Sequence, residues 1–255
     1  KDMKPGTRMK TKSPLNKLLV DNRGKGLFRV ENVSPDEATV YLYDIIVSDS
    51  FFGGVSAIDF AREMTAINAG TIHLRINSPG GEVFAAQAMA QIIREHAAHT
   101  IAHIDGHAAS AASWVALAAD EVVIAPGGMI MIHNAQTIAC GDSRDLNETA
   151  SLLEKVDGIL IATYAEATGQ DTQQIADWMD AETWFSAEEA LLYKFADRIA
   201  RNDDVALENA IQWNLTAWSK APSKSPANQD GNRNDPVSTL DHLRRRLRLA
   251  EKQTA

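Results

Sequence analysis

A single cysteine, Cys140, in a chain of 255 residues excludes an intramolecular disulfide framework and a thiolate metal cluster, and it fits a reducing compartment. Long hydrophobic runs are missing as well. Although 45% of the residues are hydrophobic, no uninterrupted stretch reaches membrane-spanning length, and Leu18-Leu19-Val20 is too short for the apolar region of a signal peptide. A cytoplasmic protein with no membrane partner is the expectation. Neither a phosphate-binding loop nor a dinucleotide fingerprint is present, so any ATP-driven step would have to come from another protein, and no cofactor or metal is expected. What is there suffices to bury one sizeable core with appendages.

Charge is unevenly spread. Residues 1–26 hold eight Lys or Arg against two Asp, and residues 237–255 hold five basic groups against two acidic ones, so the net −9 of the chain leaves about −18 between the two ends. An acidic body argues against nonspecific nucleic-acid binding by the core. The basic ends read as tails, flexible over 1–26. At the other end, Ser219–Pro236 is rich in Ser, Pro, Asn and Asp without apolar periodicity and reads as part of an extension and linker over 201–236; residues 237–255 read as a short basic amphipathic tail that stays disordered without a partner.

Between the tails, strand and helix patterns alternate. A hairpin is predicted from Leu27 to Ile46 around Ser34-Pro35-Asp36-Glu37, then a helix over Ser56–Asn68. Strands near 71–76, 100–105, 121–124 and 129–133 alternate with helices near 82–95 and 109–118, which implies an α/β fold with a mostly parallel sheet. A strand-like run from His133 to Cys140 leads into a long helix over Ser143–Ala167, with an apolar stripe of Leu146, Leu153, Val156, Leu160 and Ile161. That stripe either faces a partner or packs on its own core.

Ser110 lies in Gly106-His107-Ala108-Ala109-Ser110-Ala111-Ala112-Ser113, after one apolar run and before another. Small neighbours let the backbone turn sharply and a substrate carbonyl approach, so this serine is a candidate nucleophile, although a serine in such a place is more commonly a helix start. A serine hydroxyl needs a base, a group to orient that base, and donors for the oxyanion. His133, ending the run Met129-Ile130-Met131-Ile132, is the candidate base; His73, His96, His99, His103, His107 and His242 compete, and His107 stands too near Ser110 in sequence to reach the hydroxyl from the substrate side. Asn77-Ser78-Pro79-Gly80-Gly81 follows the run Thr71–Ile76, and paired glycines at a strand-to-helix turn can aim backbone N–H groups at an anion. Alone it would be an ordinary tight turn.

These segments together resemble the ClpP family of serine peptidases: Ile76-Asn77-Ser78-Pro79-Gly80-Gly81, Gly106 to Ala111, Met131-Ile132-His133-Asn134, and Trp184-Phe185-Ser186-Ala187-Glu188-Glu189-Ala190, in order between Thr39 and Ile199. The resemblance implies a crotonase-like superhelix of ββα units over 27–200, with a projecting helical handle at about 134–170 that mediates contact between rings. It implies Ser110 as nucleophile, His133 as base, and the Gly80, Gly81 and Ala111 amides as oxyanion hole. The chain departs from the family at the acid. The family places an Asp four positions before the serine that starts the next helix; counting back from Ser186 gives Glu182, and Asp180 lies two residues earlier. Both remain open for the third role, while Ser186 with Glu189 reads as a capping box.

The resemblance implies an endopeptidase acting on proteins or peptides inside a homo-oligomeric ring or stacked rings. The wording of Asp180-Ala181-Glu182-Thr183-Trp184-Phe185-Ser186 and the appended tails looks like the phage and prophage branch, which implies head maturation on capsid or scaffold proteins in the host cytoplasm or procapsid. A housekeeping subunit fed by a separate ATPase unfoldase is the alternative. Three rivals differ in chemistry: a signal-peptide-peptidase-like Ser–Lys enzyme using Lys155 or Lys194, a coenzyme-A-binding crotonase with no use for Ser110, and a non-catalytic ring scaffold. Cys140 as nucleophile is a further alternative, set against plain packing.

Overall fold

The computed structural model describes residues 13–32, 34–201 and 211–222, all of which belong to one compact unit. Helix α1 (Pro14–Asp21) comes first, with Ser13 as its N-cap and Pro14 at its first turn. Strands β1 (Leu27–Asn32) and β2 (Glu37–Tyr43) then form the expected antiparallel hairpin. Short strands β3 (Ile46–Val47) and β4 (Val55–Ser56) pair in parallel and lead into α2 (Ala57–Thr65), capped by Ser56. Next come β5 (Thr71–Ser78), α3 (Val83–Glu95), β6 (His99–Ala109), α4 (Ala111–Ala116), β7 (Glu121–Ile124) and β8 (Met129–Ile132). The long helix α5 (Ser143–Thr168), α6 (Thr172–Asp180), β9 (Thr183–Ser186), α7 (Ala187–Leu192) and β10 (Arg198–Ile199) complete it.

The eight-stranded sheet runs β1-β2-β5-β6-β7-β10, with β2, β5, β6, β7 and β10 parallel. Strand β6 is the pivot. Its first half pairs with β7, its last three residues pair with β8, and a register shift at Ile76/Ser78 lets the sheet divide there. β8 in turn takes β9 as an antiparallel partner. The branch carries the ends of β5, β6 and β8 to one place, and those ends hold the glycine turn, Ser110 and His133. Apolar runs such as Val122-Val123-Ile124 read as strands buried on both faces, as parallel crossovers require. Met89, Phe60, Val115 and Ile76 are fully buried in the main core between the sheet and its helices. Ser186 and Glu189 make the expected capping box at α7.

Four expectations give way. Residues 14–21, within the segment read as flexible, form a helix with Leu18 fully buried, because Ser13 and Pro14 are a start signal that the surrounding basic charge obscures. The run from His133 to Cys140 forms no strand, having no ladder partner, and Cys140 is exposed. The stripe on α5 divides: Val156 and Leu160 are buried in the chain's own core, at about 1.5–3 kcal/mol per side chain, Leu153 and Ile161 are partly buried, and Leu146 is half exposed. Residues 211–222, read within the linker, pack on the branched end of the sheet. The remainder of the linker, 202–210 and 223–236, and the basic tail at 237–255 lie outside the described residues.

Candidate active site

Ser110 turns the chain from β6 into α4 with φ 52° and ψ −125°, a left-handed conformation that costs a non-glycine residue about 1–3 kcal/mol. Its surroundings hold it there. The Ser110 N–H donates to the Met131 carbonyl at 2.8 Å, and the Ser110 carbonyl accepts from the Ser113 N–H at 2.9 Å and from Ser113 Oγ at 2.7 Å. Ser113 Oγ is also 2.8 Å from the hydroxyl of Tyr164 on α5, so the long helix is bonded to the turn. Burial pushes the Tyr164 phenol up to about 12, against the Ser113 hydroxyl, so it stays protonated.

Thus fixed, Ser110 Oγ lies 2.7 Å from Nε2 of His133, one residue past β8. The imidazole is 8% exposed. Burial lowers its pKa below the usual value, against the opposing pull of the Glu182 carboxylate and the Asn134 backbone carbonyl, so near neutrality it is the free base that faces the hydroxyl. A neutral imidazole at this distance can take the serine proton, leaving an alkoxide to attack a carbonyl carbon.

The glycine turn closes over the same spot. Gly80 takes φ 88°, and a Cβ there would stand 2.4 Å from the Ala109 carbonyl and 2.9 Å from Ser110 Cβ, so only glycine allows the approach. The two glycines do different work. The Gly80 N–H donates to Ser78 Oγ at 3.1 Å, while Ile46 pairs with the Gly80 carbonyl and the Glu82 N–H and leaves the Gly81 amide out of that ladder. Gly81 and Ala111 both line a cleft of about 330 Å³ that also holds Ser110 and His133. As the first residue of α4, Ala111 has an N–H with no helical acceptor. The Gly81 and Ala111 N–H groups are thus left out of these backbone pairings beside the cleft that holds Ser110.

The acid candidates part company. Glu182 is buried at φ 47° and is the carboxylate acting on His133, whereas Asp180 is exposed and accepts from Asn134 Nδ2 at 2.6 Å. Neither touches the ring. Nδ1 of His133 is buried without a hydrogen-bond partner among the described residues. Burial pushes Glu182 up, but the Ser219 hydroxyl, the Lys220 and Ser219 amides and the Trp184 indole outweigh it and hold the carboxyl below its usual value. Lys155 and Lys194 are exposed, and Ser110 Oγ is engaged by the imidazole instead.

A family model described as Clp protease matches residues 57–203, more than half of the chain. The chain belongs to the Clp protease family. It is accordingly a serine peptidase, and its relatives carry matching names. The "ATP-dependent Clp protease proteolytic subunit 1" of Protochlamydia amoebophila is 28% identical over 179 residues, covering 67% of this chain and 84% of the relative. The subunit of the same name from Chlamydia muridarum is 35% identical over 49% of this chain and 67% of its own length. Among solved structures, a ClpP1 point mutant from Listeria monocytogenes superposes with a TM-score of 0.57 at 24% identity, over 65% of this chain and 92% of that one, a likeness of fold. The ClpP/crotonase-like fold expected from the motifs is the fold found.

Two contributors to this Clp protease site escaped the sequence reading. Trp218 lays its ring 4.7 Å from the His133 ring, and Ser113 ties α5 to the nucleophile turn. The alternation of Ile211, Trp213, Leu215 and Ala217 with polar residues, followed by Trp218, was the available signal.

Proposed function

We propose that this Clp protease cleaves peptide bonds with Ser110 as nucleophile and His133 as general base, and that the Gly81 and Ala111 amides take the oxyanion. The observation that carries the reading is the 2.7 Å contact between Ser110 Oγ and His133 Nε2 at a strained strand-to-helix turn beside the glycine loop. Attack of Oγ on the scissile carbonyl gives a tetrahedral oxyanion. His133 then passes the proton to the leaving amine, and water hydrolyses the acyl-enzyme by the same path reversed. Glu182 is the better third member than Asp180, since it is buried and acts on the ring.

The peptidase works within a homo-oligomeric ring or stacked rings, with α5 as the handle; the exposed Leu146, Leu152 and Ile159 on that helix support this. Its substrates are capsid or scaffold proteins in phage or prophage head maturation, a reading that rests on the Asp180–Ser186 wording and the appended tails. A second reading, a subunit fed by a separate ATPase, is favoured by the names of the relatives, ATP-dependent proteolytic subunits, and by the lack of a phosphate-binding loop in this sequence. Hydrolysis of a fluorogenic peptide by single variants tests the chemistry. Ser110→Ala and His133→Ala should each lower turnover by about 10⁴-fold, with Lys155→Ala and Lys194→Ala unchanged; loss of activity in a lysine variant with His133→Ala active would favour the Ser–Lys rival. Adding purified procapsid proteins or a Clp ATPase to the active enzyme separates the two substrate readings.

A further inference from the structure

Residues 211–222 cross the site and touch each of its parts in turn. Ile211 O accepts from Asn77 Nδ2 at 3.0 Å, Trp213 Nε1 donates to the Asn77 carbonyl at 2.9 Å, and Trp218 Nε1 donates to the Pro79 carbonyl at 3.2 Å, so the glycine turn is held from outside. The Trp218 ring covers the His133 imidazole and lines the cleft. The next two residues take the acid. Ser219 N–H and Oγ donate to Glu182 Oε2 at 2.9 and 2.6 Å, and Lys220 N–H donates to Oε1 at 2.6 Å, while the Lys220 ammonium reaches the Ala181 carbonyl.

Helix α1 clamps this segment from the other side. Asn22 Oδ1 accepts from the Asn214 N–H at 2.6 Å, Asn22 Nδ2 donates to the Asn214 carbonyl at 3.0 Å, and Lys25 reaches the Gln212 carbonyl at 3.2 Å. Leu18, Trp213, Leu215 and Trp218 form a small buried cluster on Ala109 and Met131, the residues beside the nucleophile turn and the imidazole. The cost of this arrangement falls on His133. Its Nδ1 has no partner among the described residues, although a carboxylate stands close enough to act on it.

We propose that residues 211–222 are an intramolecular strap that keeps this Clp protease latent, holding Glu182 off His133 Nδ1 and filling the space against the imidazole with Trp218. The proposal rests on the assignment of Ser110 and His133 as nucleophile and base. A carboxylate with three charge-assisted donors from the strap does not exchange them for a single imidazole N–H. The acid therefore becomes available only when the strap lifts, and an extended polypeptide segment that competes for the Trp218 position is the chemistry that lifts it.

The rate at which a fluorophosphonate probe labels Ser110, mapped by peptide mass spectrometry on the full chain, tests this. Ser219→Ala removes one donor and keeps the fold; it should speed labelling about 3-fold or more, and Ser219→Pro with Lys220→Pro, which removes both amide donors, about 10-fold or more. Adding Glu182→Gln to either variant should abolish the gain, an outcome that a merely structural role for the strap would not produce. Unchanged or slower labelling of Ser110 in a Ser219→Ala chain of native circular dichroism overturns the strap and leaves the nucleophile assignment standing. If Ser110 is labelled in neither parent nor variant, both are overturned.

Discussion

His107 should make this protein lose stability as the pH falls below neutrality. The side chain is 5% exposed and packs edge-on against Trp184 at 6.1 Å, and neither ring nitrogen has a hydrogen-bond partner among the described residues. Burial lowers its pKa from 6.5 to about 4, so the folded chain refuses a proton that the unfolded chain accepts. The stabilisation is complete above pH 6.5, drains away as the pH falls from 6.5 towards 4, and stays lost below. Between pH 7 and pH 5 the proton uptake of the unfolded chain amounts to about 2 kcal/mol from this residue alone. His107→Leu removes the titrating ring at similar volume. Urea unfolding at the two pH values should then show a difference about 2 kcal/mol smaller than in the parent; His133, also lowered by burial, titrates in both and cancels. Equal pH dependence in parent and variant would refute the reasoning and mean that the buried ring finds a partner in solution.

Three further outcomes follow from the geometry. Glu182→Gln should reduce peptide turnover far more than Asp180→Asn, because only Glu182 acts on the imidazole; a larger loss at Asp180 would move the third role to the exposed carboxylate. Leu152→Glu with Ile159→Glu, at positions 50% and 48% exposed, should yield a smaller species by sedimentation with the subunit fold intact, whereas charge at Leu160, 5% exposed, should unfold the subunit. Tyr164→Phe should cost about 1–2 kcal/mol in urea unfolding by leaving Ser113 one partner short; no change would show that the hydroxyl pair adds nothing to holding α5 on the turn.

Where a signal was local, the sequence carried it. Val122-Val123-Ile124 and Met129-Ile130-Met131-Ile132 are strands because apolar runs between turns bury on both faces, and Ser186 with Glu189 starts a helix because two amides need acceptors there. Ser110, His133 and the glycine turn were legible for a related reason: each ends an apolar run, and parallel strands carry such ends to one edge. What escaped depends on distant partners. Residues 211–217 alternate apolar and polar, but the partners that order 211–222 are Asn77, Glu182 and Asn22, more than a hundred positions away in two cases. The side chain of Glu182 was placed near the site by register alone, but register says nothing of Ser219 and Lys220, which hold its oxygens. On α5, spacing gave one stripe, and only the tertiary packing decides that Val156 and Leu160 face inward while Leu146 is exposed.

The central claim is that Ser110, activated by His133, is the nucleophile of this Clp protease. Fluorophosphonate labelling of the parent, His133→Ala and Ser110→Ala chains, followed by peptide mapping, addresses it most directly. The account predicts one modified residue, Ser110, in the parent, labelling slowed by orders of magnitude in His133→Ala, and none in Ser110→Ala. A phosphonylated residue other than Ser110, or full-rate labelling without His133, would contradict it.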